Sequence, residues 1–325
     1  MVKNKIDLGF FPTPIQPLTR ISQKYPDYNI FIKRDDNTGL ATGGNKTRKL
    51  EYLIKQALDE GCNTIITAGA QQSNHCRQTA AACANIGLAC HLLLGGDEPK
   101  KYEGNLLLSK MLGAKIYFTG ENRKGENIYS FKKRLDSEEC KSFVIPYGGS
   151  TITGALGFVF AIEELKIQLA EHNLNIDYIF FASSSGGMQA GLTLGIDLFD
   201  LNIKLIPINI DKDETNGIAL EEVVLNILKE GNKLFNLKKN YCIQDITLNK
   251  DYDKAGYGVV TDNEILAINT LAVNEGILMD PVYTGRAFYG MMDHLKNHKI
   301  APKSNVLFWH TGGLPAIFKY ADKIF

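Results

Sequence analysis

The chain has 325 residues, enough for one large or two ordinary domains, and its 44% hydrophobic and 22% charged content is that of a globular protein with a full core. A formal net charge of zero weighs against nucleic acid or an anionic membrane as a partner, and the longest apolar runs, such as 157–162, are too short to span a bilayer. The N-terminus, Met1-Val2-Lys3-Asn4-Lys5, lacks the apolar stretch of a signal peptide, and none of the six cysteines forms CxxC or a zinc-type cluster, so reduced thiols, no metal and a cytoplasmic location are expected.

Phe11-Pro12-Thr13-Pro14-Ile15 is held extended by its prolines. Ile30 to Arg34 reads as a short strand, and the turn Asp35 to Gly39 leads to the glycine pair Gly43-Gly44. Leu50, Leu53, Ile54, Ala57 and Leu58 then recur at helical spacing and predict a helix from about 45 to 60, stopped by Gly61. Asn45 stands at the N-cap. Lys46 falls in the first turn, at the positive end of the macrodipole, where a low amine pKa is expected. Such an amine can attack a carbonyl.

Thr64 to Ala68 has no polar face and predicts a buried strand of a parallel sheet. An alanine-rich helix follows over 73–85, then strands at 90–94 and 115–118 around a helix at 106–112. This alternation predicts an α/β fold with doubly wound parallel sheets. Residues 121–141 read as a solvated helix. A strand at 143–146 enters the glycine turn 147–150, and a long helix covers 153–171. Tyr178 to Ala182 is another buried strand, emptying into Ser183-Ser184-Ser185-Gly186-Gly187-Met188-Gln189-Ala190-Gly191. Strands at 204–210 and 305–309, helices at 217–230, 262–276 and 285–297, and a last helix from about Pro315 complete the chain.

Two stretches suggest anion sites. Residues 183–191 place a Ser/Gly-rich turn between a buried strand and a helix, which makes a nest of backbone N–H groups suited to phosphate. They match neither a Walker motif nor a dinucleotide fingerprint, which argues against a nicotinamide oxidoreductase. Gln72-Ser73-Asn74-His75 opens a helix after a buried strand and suits a carboxylate. A lysine on a helix start, a phosphate nest and a carboxylate nest together fit pyridoxal phosphate and an amino-acid substrate.

With these motifs the sequence resembles the family of D-cysteine desulfhydrase and 1-aminocyclopropane-1-carboxylate (ACC) deaminase, fold type II pyridoxal-phosphate enzymes of the tryptophan-synthase-β-like kind. The resemblance runs nearly end to end. It covers 33–36, 43–51, 72–75, 186–191, 280–285 and 310–316. It implies that Lys46 bonds the cofactor's aldehyde, Asn74 contacts the pyridoxal hydroxyl, and Ser73 with its neighbours, including His75, holds the substrate carboxylate. Ser185, Gly186, Gly187 and Met188 would cradle the phosphate, Thr311 would lie near the pyridine nitrogen, and Tyr257 and Tyr283 would face the substrate. It further implies a homodimer of subunits with two domains, a large one of 1–50 plus 156–325 and a small one of 51–155.

Two departures stand out, of which the tolerable one is Arg286 where lysine is usual. The family's Gly-Ser-Gly-Gly-Thr loop is Ser184-Ser185-Gly186-Gly187-Met188 here, which removes a hydroxyl and places serine where glycine's freedom is usual, so weaker cofactor binding or a rearranged loop is expected. Thr284 replaces the glutamate typical of ACC deaminases. A neutral hydroxyl near the ring favours α,β-elimination from D-cysteine, with Lys46 as base, over cyclopropane opening. ACC deamination, cysteate sulfo-lysis and a catalytically weak cofactor-binding protein remain alternatives.

Overall fold

The computed structural model describes residues 3–137 and 139–324. The strands are β1 (Ile15–Pro17), β2 (Tyr28–Arg34), β3 (Thr64–Gly69), β4 (Ala89–Leu94), β5 (Lys115–Phe118), β6 (Ser142–Val144), β7 (Tyr178–Ser183), β8 (Lys204–Asn209) and β9 (Ser304–His310). They form a five-stranded sheet, β1-β2-β9-β7-β8, and a four-stranded sheet, β5-β4-β3-β6. Every pairing is parallel except β1 with β2.

The helices are α1 (Thr19–Ser22), α2 (Lys46–Asp59), α3 (Asn74–Ile86), α4 (Gly104–Met111), α5 (Ile128–Leu135), α6 (Ile152–Glu171), α7 (Gly187–Leu198), α8 (Leu220–Phe235), α9 (Asp262–Glu275), α10 (Thr284–Lys296) and α11 (Ala321–Ile324). Of the solvated helix expected over 121–141, only α5 forms among the described residues. The preceding residues are a loop with Gly125 at positive φ, whose Arg123 and Lys124 reach across to Asp211. The tail from Leu314 is a 3-10 turn before α11, not one helix. No described helix is long and apolar enough to cross a membrane.

The fully buried strands carry apolar side chains on both faces. Phe180 and Phe308 enter one core with Ala287 and Phe288 of α10, while Ile179, Phe181 and Leu307 enter another with Phe158 and Leu165 of α6. The smaller sheet packs Ile65, Leu92 and Leu94 against Leu50, Leu53 and Ile54 of α2. Helices α2 and α6 cross the expected domain limits at 50/51 and 155/156, so those limits fall within helices.

Small residues let α2, α6 and α7 meet backbone to backbone. A Cβ on Gly157 would stand 2.2 Å from the Arg48 carbonyl oxygen, and one on Gly191 2.4 Å from that of Ala155. This approach brings the start of α2 against the loop before α7. The C-terminal ends of β3, β6, β7 and β9 open toward the same place, as ligand crevices of parallel sheets do.

Beneath the site a buried ionic network ties α2 to the larger sheet. Arg48 donates to both Asp35 oxygens (2.9 Å each) and to both Glu164 oxygens (2.9 Å each). Lys33 reaches Glu164 at 2.5 Å, and Trp309 Nε1 donates to Asp35 at 2.8 Å. Burial alone would raise the Glu164 carboxyl, but Arg48 and Lys33 outweigh it and hold it at about 2.

Candidate active site

The turn that delivers Lys46 is strained. Ala41, Thr42, Gly43 and Gly44 all have positive φ (40°, 71°, 71° and 128°), a conformation that costs a non-glycine residue about 1–2 kcal/mol. A Cβ on Gly43 would lie 1.9 Å from the Asp36 carbonyl oxygen. Helix α3 braces this turn. Buried Arg77 donates to the carbonyls of Ala41 and Gly43 and to Asn105 Oδ1 (2.8 Å). Gln78 Oε1 accepts from the Thr47 amide at 2.9 Å. Gln78 therefore caps α2, correcting the expectation for Asn45. Asn45 already has helical backbone angles and makes no side-chain cap. Its amide bridges Lys46 Nζ (3.3 Å) and Met188 Sδ (3.4 Å) instead.

Lys46, Ser73, Asn74, His75, Ser185, Gly186, Met188, Tyr283 and Thr311 line one cavity. Burial pushes the Lys46 amine down to about 8, against the opposing pull of Asp280. The low value was expected from the helix start, and desolvation drives it here. Lys49 is a site residue the motif reading left unassigned. It lies one helical turn on, on the same face. It is fully buried, and burial followed by the nearby Lys46 charge holds its amine well below the ordinary lysine value.

Lys49 Nζ donates to the Gly148 carbonyl (2.9 Å) and to Ser150 Oγ (3.3 Å). Ser150 Oγ also accepts from the Gly187 amide (3.2 Å) and donates to Ser185 Oγ (2.9 Å). Donors thus converge on one serine oxygen, where an anion oxygen would do the same. Helix α7 starts here without a side-chain cap from Gly186, leaving the amides that follow Gly187 available. Ser184 does not carry a positive φ, so the expected backbone strain is absent. Met188 turns its thioether to Asn45 and offers no hydroxyl.

The second polar end is built on α3. Ser73 Oγ accepts from the Cys76 amide (3.2 Å), which leaves its proton free to donate. Asn74 Oδ1 accepts from Asn105 Nδ2 (2.8 Å), so the Asn74 amide presents its NH2 to the cavity wall. His75 differs from its expected role as a carboxylate holder. Thr67 Oγ1 donates to the Ile145 carbonyl (2.7 Å) and lies 3.0 Å from His75 Nε2, so Nε2 carries the proton. His75 Nδ1 is buried without a partner. Burial, then the Lys46 and Lys49 charges, keep the ring neutral. Its ring offers the site an acceptor, not a donor.

Asp280 is fully spent as a local cap. Its carboxylate accepts from the amides of Val282 (2.9 Å), Tyr283 (2.8 Å) and Thr284 (2.8 Å). The Thr284 hydroxyl turns to it as well (2.6 Å), away from the cavity lining. Tyr257 stands behind Tyr283 rather than on the lining, with the two hydroxyls 2.6 Å apart. The Arg123 guanidinium covers the Tyr257 ring at 4.7 Å and also pairs with Asp211 at 2.9 Å. Tyr147, unassigned by sequence reasoning, lines the cavity beside them.

The lining contains lysines, hydroxyls and amides but no aspartate or glutamate. Such a wall suits a ligand bearing a phosphate and a carboxylate, and a partly buried low-pKa amine stands on the same wall. These residues fit pyridoxal phosphate. Among the described residues no cluster of histidine, cysteine or acidic side chains could hold a metal ion.

The family model described as pyridoxal-phosphate dependent enzyme matches residues 6–312. A D-cysteine desulfhydrase of Klebsiella pneumoniae is 38% identical over 97% of this chain and 96% of that protein. A solved ACC deaminase homologue is 35% identical, with a TM-score of 0.90 over 99% of this chain and 95% of that one. A hydrogen sulfide-producing enzyme from Fusobacterium nucleatum, at 18% identity and a TM-score of 0.65 over 94% of this chain and 96% of that one, shares the fold alone.

Proposed function

The chain belongs to the fold type II pyridoxal-phosphate dependent enzymes, in the D-cysteine desulfhydrase and ACC deaminase family, and from that premise we propose that it eliminates hydrogen sulfide from D-cysteine, leaving pyruvate and ammonia. The observation that carries this reading is the acid-free cavity lining around Lys46. Pyridoxal phosphate, when bound, supplies the electron-withdrawing ring that acidifies the Cα–H bond. Lys49, Ser185 and the first amides of α7 would hold its phosphate, Asn74 its ring hydroxyl, and Thr311 its ring nitrogen.

Ser73 and the amides at the start of α3 bind the substrate carboxylate. Lys46 is the covalent anchor and, once free, the base that takes the proton from Cα. A neutral Thr311 hydroxyl at the ring nitrogen, with Asp280 occupied by its own backbone, favours loss of a good leaving group over opening a carbon ring. We further propose a homodimer, as the family resemblance implies.

The test is an absorbance titration of the holoenzyme with D-cysteine while sulfide and pyruvate are assayed. A band at about 420 nm, the usual place for a lysine-bound cofactor, that changes as sulfide appears supports the reading. Faster turnover of ACC or cysteate than of D-cysteine would replace it, and loss of neither band nor turnover in Lys46→Ala would refute it.

A further inference from the structure

The cavity has a third wall that neither the phosphate nor the carboxylate uses. It is formed by Tyr147, Ser184 and Tyr283. The Tyr283 hydroxyl is engaged with Tyr257. The other two are not committed. Ser184 Oγ is buried and has no hydrogen-bond partner. It lies close enough to the Tyr147 hydroxyl to bear on its proton, yet the two are not joined by a well-formed hydrogen bond. Burial, then Asp211, pushes the Tyr147 phenol up to about 12, so it keeps its proton at neutral pH. The ring is held in place from outside, with Lys124 Nζ 5.5 Å from its centroid and 3.0 Å from Asp211.

A buried hydroxyl left without a partner destabilises a protein, and a ligand that satisfies it removes that cost. We propose that Tyr147 and Ser184 form the subsite for the substituent on the substrate's β-carbon and select amino acids carrying a heteroatom there. A thiol, thiolate or hydroxyl accepts hydrogen bonds from both residues. A methyl or a ring methylene accepts none and leaves both unpaired, which is how polar sites reject apolar analogues. The two residues donate hydrogen bonds to the departing sulfur and transfer no proton. This inference rests on the elimination reading for the reaction at Cβ, but its binding test does not need turnover.

The experiment compares the wild-type holoenzyme with Tyr147→Phe and Ser184→Ala. Dissociation constants for alanine and serine of each hand are read from the cofactor absorbance, taking the hand that binds, and each protein is also melted without ligand. Each variant should weaken serine by about tenfold, the effect of one lost hydrogen bond, and leave alanine unchanged. The melting temperature of Ser184→Ala should equal or exceed that of the wild type, because an unpartnered buried hydroxyl has gone. Equal weakening of serine and alanine, no weakening of either, or a lower melting temperature with unchanged discrimination would each overturn the subsite. Sulfide release from D-cysteine with an unchanged serine-to-alanine ratio would remove the subsite and keep the elimination reading. A changed ratio in a protein that releases no sulfide would do the reverse.

Discussion

The Lys46 amine titrates near 8 because burial strips its ammonium form of water, and this sets how fast the apoprotein can capture its cofactor. An ordinary lysine titrates at 10.5. The difference is worth about 3 kcal/mol in favour of the neutral amine, which makes the nucleophile roughly 300-fold more abundant at pH 7 than for a solvated lysine. Only the neutral amine attacks an aldehyde. The capture rate should therefore rise with pH through a midpoint near 8 and level off above about 9. Stopped-flow mixing of apoprotein with pyridoxal phosphate, followed at the absorbance of the lysine-bound form, gives that profile. Asp280 opposes the depression, so Asp280→Asn should move the midpoint to lower pH. A midpoint at or above about 10 in the wild type, or a shift upward in Asp280→Asn, would refute the burial argument.

Three other outcomes follow from the same geometry. Lys49→Met removes a buried donor from the phosphate end, so equilibrium dialysis should show cofactor affinity reduced about 10- to 100-fold, within the range for a hydrogen bond to a charged group. Gln78→Ala strips the cap from the Thr47 amide; chemical denaturation should register a loss of about 0.5–2 kcal/mol, and kcat should fall as the Lys46 turn loosens. Glu164 is held at about 2 in the folded chain against 4.5 unfolded, so its contribution is complete above pH 4.5 and disappears as pH falls toward 2. It amounts to about 3 kcal/mol. Urea unfolding of wild type and Glu164→Gln across pH 7 to 3 should show the gap between them closing on the acid side; a constant gap would exclude the ionic network as its source.

Ser73, Asn74 and the loop after β7 were legible because each follows a buried strand and opens a helix, a pattern that places residues at one edge of a parallel sheet, and Lys46 because a glycine pair runs straight into its helix. The residues that position them were not. Gln78 and Arg77 sit inside an alanine-rich helix, where spacing says only that they are helical. Their work, capping α2 and tying down Ala41 and Gly43, exists only once α3 lies across the start of α2. Lys49 could have been suspected from its spacing three residues after Lys46. What spacing could not tell is that α6 passes within backbone contact of Lys49 at Gly157, and that the Gly148 carbonyl and Ser150 stand against its amine.

The two lysines also explain why the lining carries no acid. A carboxylate in the cavity would favour the charged form of both amines and compete with the incoming phosphate and carboxylate of the ligands. Asp280 is close enough to raise Lys46, but three amides and the Thr284 hydroxyl occupy its oxygens. Asp211 is close enough to raise Tyr147, but Arg123 and Lys124 hold it. Each nearby acid thus has its oxygens engaged by partners outside the cavity. An anion at the start of α7 would favour the charged form of Lys49, while Lys46, at about 8, must give up its proton before it can meet an aldehyde. The site is assembled as an anion receptor around a base, and that arrangement accounts for Lys46, Lys49 and Ser73 without any further catalytic acid.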